Sequence, residues 1–233
     1  MAAAVYLIPS LLHEEGLQSI PPYIIDAVKQ CQVLFVENER TARRYLKKLA
    51  KEIVIDDYEW FTMIVDDDTT KAFRKKIKEG KTIGIISEAG CPGIADPGQQ
   101  LVAIAHELNI EVRPLVGPNS ILLALMASGM NGQQFKFNGY LPIKDHERNK
   151  MIKELESESA KKNCTQIFIE TPYRNNQLLD ALLSICQPST KICIAVDLTS
   201  DKEFIKTKTV VDWKESKSDI HKRPAIFLLY REK

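Results

Sequence analysis

Short apolar runs, punctuated by Gly, Pro and charged residues, divide the chain into candidate strands and helices. Val5-Tyr6-Leu7-Ile8 is the first strand, closed by Pro9, and Val33 to Val36 is the second. Between them Pro21-Pro22 opens a helix reaching about Gln30, because proline is tolerated in a first turn. From about Thr41 to Leu49 the apolar residues Tyr45, Leu46 and Leu49 fall at helical spacing. Ile53 to Ile55 reads as a third strand, Thr69 to Glu79 as a helix ended by Gly80, and Thr82 to Ile86 as a fourth strand. Gln99 to Leu108 is amphipathic, and Glu111 to Leu115 is a further strand. This βαβαβαβαβ alternation predicts a parallel sheet with helices on both faces.

Val116-Gly117-Pro118-Asn119-Ser120 breaks the alternation, and Ile121 to Ala127 resumes as a helix capped by Asn119 or Ser120. The expected boundary falls here, giving an N-terminal α/β domain over 1–115 and a C-terminal α/β domain over 116–233. In the second half Phe135 to Leu141 is a candidate strand, and about Asp145 to Lys161 a polar helix. Thr165 to Ile169 is a strand, and Asn175 or Asn176 is the expected cap of a helix through Ser184. Ile192 to Val196, an edge strand over Glu203 to Val211, and Ala225 to Tyr230 follow. Strands this close, with few helices between them, predict a mixed sheet.

Composition adds constraints. Charged residues make up 27% and the net charge is +1, so global charge argues neither for nor against a nucleic-acid partner. Positive residues do cluster locally. Arg40, Arg43, Arg44, Lys47 and Lys48 share one helix, and Arg148, Lys150 and Lys153 another. Each cluster is either a solvated face or an anion or RNA surface. The five cysteines are odd in number and lack C-x-x-C spacing, which predicts buried thiols in a reducing cytoplasm rather than a disulfide frame or a zinc site. Asp66-Asp67-Asp68 resembles a metal cluster, but acidic residues before a helix are ordinary caps, and no metal is expected. No apolar run approaches the roughly 20 residues needed to span a bilayer, and the start lacks the basic region of a signal peptide.

Several familiar chemistries are missing. There is no G-x-x-x-x-G-K-[ST] phosphate loop, no G-x-G-x-x-G fingerprint and no G-x-S-x-G nucleophile elbow. The chain offers instead Ser87-Glu88-Ala89-Gly90-Cys91-Pro92-Gly93-Ile94-Ala95-Asp96-Pro97-Gly98, a Gly/Pro-rich loop between strand and helix. Such a loop stands at the carboxyl edge of a parallel sheet, where ligands bind, and its backbone N–H and C=O groups can face a ligand directly. It suits a neutral or zwitterionic ligand and group transfer driven by positioning.

This loop resembles the S-D-A-G-T-P-x-I-x-D-P-G motif of the tetrapyrrole methylase superfamily, and most closely its ribosomal RNA branch. Glu37-Asn38-Glu39-Arg40 is similar to that branch's E-D-T-R, and Gly117-Pro118-Asn119-Ser120 to its G-P-C/S-A. Ile169-Glu170-Thr171-Pro172-Tyr173-Arg174 resembles Y-E-S-P-H-R, and Ala195-Val196-Asp197-Leu198-Thr199 with Glu203-Phe204 resembles R-E-L-T…E-E/T. The resemblance implies two α/β domains, with S-adenosyl-L-methionine in the cleft between them, usually as a homodimer. Carried over motif by motif, it assigns Ser87, Glu88, Ala89, Gly90 and Ile94 to the methionine part of the cofactor. Asn119, Ser120 and Ile121 would form the next wall, and Glu170, Thr171, Pro224 and Ala225 would approach the adenosine. Asp96, Glu170 and Arg174, with Arg40, become candidates for binding the acceptor or orienting the nucleophile.

The implied activity is 2'-O-methylation of a ribose in small-subunit ribosomal RNA. Methylation of a small molecule such as a tetrapyrrole precursor is an alternative, because Pro9 to Gly16 replaces the family's opening loop G-T-P-I-G-N-L, which lies near the substrate. A non-catalytic protein that binds S-adenosylmethionine is the alternative of another class.

Overall fold

The apolar runs of the first half form one parallel sheet in the computed structural model, which describes residues 3–64 and 66–232. Its strands are β1 (Ala4–Ile8), β2 (Val33–Val36), β3 (Glu59–Thr62), β4 (Ile83–Ile86) and β5 (Glu111–Pro114). They are joined by helices α1 (Ile24–Gln30), α2 (Glu39–Leu49), α3 (Asp67–Lys78) and α4 (Gly98–Glu107). β2 and β4 are buried along their whole length, as strands covered on both faces must be. Ile24, Val28, Leu34 and Leu46 share one core cluster with α1 and α2, while Phe35, Phe73, Ile85 and Leu101 share another with α3 and α4.

The strand order β3-β2-β4-β1-β5 places the candidate loops. β1 leads through α1 to β2 on one side, whereas its neighbour β4 leads through α4 to β5 on the other. Connections leaving adjacent strands in opposite directions open a crevice at their carboxyl ends. Residues 9–16 and 87–97 begin there.

The second half is a mixed sheet of β6 (Phe135–Tyr140), β7 (Thr165–Ile169), β8 (Lys191–Val196), β9 (Phe204–Thr209) and β10 (Ala225–Tyr230), in the order β6-β7-β10-β8-β9. Only β6 and β7 pair in parallel. Helices α6 (Asp145–Lys162), α7 (Asn175–Ile185) and α8 (Val210–Glu215) contribute to its main core, and α5 (Ser120–Ser128) packs against β8, β9 and β10. Phe168 and Phe227 face each other across β7 and β10 and stack at 6.1 Å. The chain thus forms two compact units, Met1–Asn119 and Ser120–Lys233.

The structure departs from the sequence pattern at three places. The third strand lies at Glu59–Thr62, because Ile53 serves as a core anchor and Ile55–Asp57 forms a 3-10 turn. Two aromatics define that edge strand, with Phe61 stacked on Phe35 at 4.9 Å. Asn175 and Asn176 do not cap α7. Their side chains reach the 219–223 segment, where Asn175 Nδ2 donates to the Arg223 carbonyl at 2.6 Å. The ninth strand ends at Thr209, whose hydroxyl accepts the Asp212 N–H and opens α8. Elsewhere Asp66 caps α3 by accepting the Thr69 N–H at 2.8 Å, and Cys31, Cys164, Cys186 and Cys193 are buried thiols.

Candidate functional site

In the first unit three loops meet at the carboxyl ends of β1, β4 and β5. Ser10 joins two of them, its N–H donating to the Gly90 carbonyl at 2.8 Å and its hydroxyl to the Ser87 carbonyl at 3.0 Å. Gly117 brings in the third. A Cβ there would lie 2.1 Å from Pro9 Cβ, so only glycine permits the approach. Gly90 sits at φ +75, and a Cβ on it would stand 3.3 Å from the Pro118 carbonyl oxygen and 3.2 Å from Leu12. The Leu12 side chain and the Pro118 carbonyl therefore bound Gly90 and leave little room for a Cβ.

Asp96 fixes the loop's far half. Its Oδ1 accepts the N–H groups of Gly98 at 2.7 Å and Gly93 at 3.0 Å, and Oδ2 accepts Gly93 at 2.8 Å. Burial raises the Asp96 carboxyl above its usual range, against the pull of those N–H donors. Ile94, between the two anchors, is left 48% exposed. Ser87 is buried, and Glu88 is exposed, with its N–H donated to the Glu37 carboxylate at the end of β2. Asn119 closes this unit.

A cavity of about 420 Å3 lies against the loop, between Ser10–Glu14, the α2 residues Thr41, Ala42, Arg44, Tyr45 and Lys48, and Ile86–Ala89. Its walls combine apolar surface from Leu11, Leu12 and Ala42 with the cations of Arg44 and Lys48. Arg43 points elsewhere, pairing with Glu39 at 2.7 Å and covering Trp60 at 4.8 Å. Arg40 is exposed in the first turn of α2. The second basic cluster loses Arg148, which is buried and paired with Asp145 at 2.7 Å.

Glu37 went unassigned in the sequence although it opens the E-N-E-R motif. Burial raises its carboxyl above the ordinary value, and the Asp96 and Glu88 carboxylates push the same way against the Glu88 N–H. A carboxyl raised by folding contributes stability that is fully present below its unfolded value, near 4.5, and is lost as pH rises through the elevated value. Glu37→Gln keeps an acceptor and removes the charge. Its melting temperature should exceed that of the wild type at about pH 8 and converge with it at about pH 4. An equal difference at both pH values in a thermal-melting series would refute this.

In the second unit Glu170 directly follows β7, with its side chain only 2% exposed. Its Oε1 accepts the Thr171 N–H at 2.6 Å and Arg174 Nε at 3.0 Å, so Arg174 neutralises a buried charge. The antiparallel register that pairs Ile226 with Ile169 sets Ala225 beside Glu170. Arg223 holds Asp197 at 2.7 Å, and the Pro224 carbonyl accepts the Asp197 N–H at 3.0 Å. Glu170, Thr171, Pro224 and Ala225 thus share one sheet end, while Ser120 and Ile121 begin α5. Asp197 and Thr199 take φ of 48 and 71, values costly for a β-branched residue such as threonine. No sequence pattern announced that strain.

Among the described residues no group of His, Cys, Asp and Glu is arranged to hold a metal, and no helix is long and apolar enough to cross a membrane. The sequence profile described as Tetrapyrrole (Corrin/Porphyrin) Methylases matches residues 16–212. The chain belongs to the tetrapyrrole methylase family. Within it, the chain is 28% identical over 208 residues to Ribosomal RNA small subunit methyltransferase I of Vibrio cholerae, covering 88% of this chain and 68% of that protein. It is 35% identical over 134 residues to the protein of that name from Synechocystis, covering 58% and 47% of the two chains. For the Halalkalibacterium halodurans protein the identity is 31% over 190 residues, covering 76% and 61%. The chain therefore spans less than two thirds of the Synechocystis and Halalkalibacterium halodurans proteins. Among solved structures, the methyltransferase CobJ superposes with a TM-score of 0.63 at 18% identity, covering 99% of this chain and 95% of that one. Uroporphyrin-III-C-methyltransferase from Thermus thermophilus gives 0.58 at 16%, covering 98% and 94%. These two likenesses concern the fold alone.

Proposed function

We propose that the protein is an S-adenosylmethionine-dependent methyltransferase acting on a ribose 2'-hydroxyl of small-subunit ribosomal RNA, in the cytoplasm and as a homodimer. The observation that carries the reading is the Gly90 face, a backbone cradle built by Ser10, Asp96 and Gly117 at the switch point of a parallel sheet. A Cβ at Gly90 would press on Leu12 and the Pro118 carbonyl, so glycine is what lets the loop seat against the 117–118 segment and keep its peptide groups in place. The ribosomal relatives supply the acceptor class.

In this reading Ser87, Glu88, Ala89, Gly90 and Ile94 hold the methionine part. Asn119, Ser120, Ile121, Glu170, Thr171, Pro224 and Ala225 hold the remainder. S-adenosylmethionine supplies an electrophilic methyl on a sulfonium, so orientation of the acceptor oxygen matters more than a strong base. Asp96 orients the loop, Glu170 and Arg174 act together as a neutralised pair, and Arg44 and Lys48 give the acceptor cavity its phosphate-binding cations.

Calorimetric titration with S-adenosylmethionine tests the cofactor, and labelled methyl transfer to small ribosomal subunits tests the acceptor. The wild type should bind in the micromolar range, and Gly90→Trp, which fills the cradle, should abolish binding without loss of helical signal. Binding with no transfer to RNA would support a non-catalytic binder. Equal binding by Gly90→Trp would remove the cradle from the site.

A further inference from the structure

Tyr173 is the most exposed aromatic side chain among the described residues, at 70%. It stands on the turn that follows Glu170, and two basic residues flank it. Lys222 Nζ lies 5.8 Å from the ring centre, and the His221 ring meets it edge-on at 6.2 Å. The turn beneath is tied down by hydrogen bonds. Lys222 N–H donates to the Pro172 carbonyl at 2.9 Å, Arg174 N–H to Thr171 at 2.9 Å, and the buried Asn175 amide to the Arg223 carbonyl at 2.6 Å. The neighbouring arginines are already committed, Arg174 to Glu170 and Arg223 to Asp197. Among the described residues no carboxylate pairs with Lys222, whose ammonium lies over the Tyr173 ring and can meet an incoming anion from there.

An aromatic ring held in the open on a hydrogen-bonded turn, beside a lysine with no ion pair, has the two components of a single-stranded nucleic-acid contact: a face for a base and a cation for its phosphate. A partner protein would bury such a ring among apolar neighbours, and here its neighbours are His221 and Lys222. We infer that Tyr173, with His221 and Lys222, is a stacking platform for an unpaired base of the RNA acceptor, with Lys222 meeting the adjoining phosphate. The inference rests on the reading of the acceptor as RNA and adds the surface that would hold a nucleotide beside the target.

The test is fluorescence anisotropy with a labelled single-stranded oligocytidylate at several salt concentrations, run beside methyl transfer to small ribosomal subunits. Tyr173→Ala should weaken oligonucleotide binding about tenfold or more, while Tyr173→Phe, which keeps the ring, should stay within about twofold of the wild type. Lys222→Gln should reduce the slope of log affinity against log salt by about 0.7. The Phe variant separates loss of stacking from loss of fold. If Tyr173→Ala binds and methylates like the wild type, the platform is refuted and the methyltransferase reading stands. Tyr173-dependent binding without any methyl transfer would keep the platform and refute that reading. A wild-type protein that does not bind the oligonucleotide overturns the platform outright.

Discussion

Trp213→Ala should lower the stability of the second unit by about 3–5 kcal/mol, a substantial part of the 5–15 kcal/mol that holds a typical domain folded. Trp213 is fully buried in the short helix α8 and packs in one core cluster with Val210, Ile220 and Phe227. Its indole N–H donates to the Ile192 carbonyl at 2.8 Å, which fixes α8 against β8. A helix of six residues has little stability of its own, so it depends on its two buried side chains, Val210 and the much larger Trp213. Trp213→Phe keeps most of the volume and loses the hydrogen bond, and should cost less. Urea unfolding followed by far-ultraviolet circular dichroism measures both. An alanine variant within about 1 kcal/mol of the wild type would mean that the core collapses around the gap.

Trp213 also marks where the sequence stopped being readable. Val210 and Val211 prolong the alternation of the ninth strand, so the start of α8 was absorbed into it. A local signal existed nonetheless: Thr209 and Asp212 form a Thr-x-x-Asp pattern, and the Thr209 hydroxyl does cap the helix. The third strand is hidden for the opposite reason, since Ile53 to Ile55 is a purely apolar run while the edge strand sets only Trp60 and Phe61 between exposed Glu59 and Thr62. Central strands such as β2 and β4 were plain because burial on both faces demands an unbroken apolar run. The Ser87–Gly98 loop was plain because glycine and proline write backbone geometry into the sequence. Partners distant in the chain left no such record. The ties from Ser10 to Gly90 and from Glu37 to Glu88 cross some 80 and 51 residues, and the burial of Arg148 depends on packing that periodicity does not encode.

Asp96 separates two accounts of the reaction, and its variants distinguish them by their effect on kcat. As a proton acceptor it would need an oxygen directed at the ribose hydroxyl. Its oxygens instead receive three N–H contacts from Gly93 and Gly98, which hold Ala95 at φ 61 and seat the first residue of α4. Asp96→Ala strands those donors, at a net cost of about 1–3 kcal/mol for each one left unsatisfied, and loosens the segment carrying Ile94. A displacement of about 1 Å at a transfer site costs on the order of a hundredfold in rate, so kcat for methyl transfer should fall about that far. Asp96→Asn keeps a carbonyl oxygen able to accept from Gly93 or Gly98, and should recover much of the loss. Rate measurements on the two variants across pH decide the matter. If Asp96 holds the loop, the asparagine variant is active and keeps the acidic limb of the wild-type profile. If Asp96 takes the proton, asparagine is as inactive as alanine, because a neutral amide cannot serve as the base, however well it holds the loop.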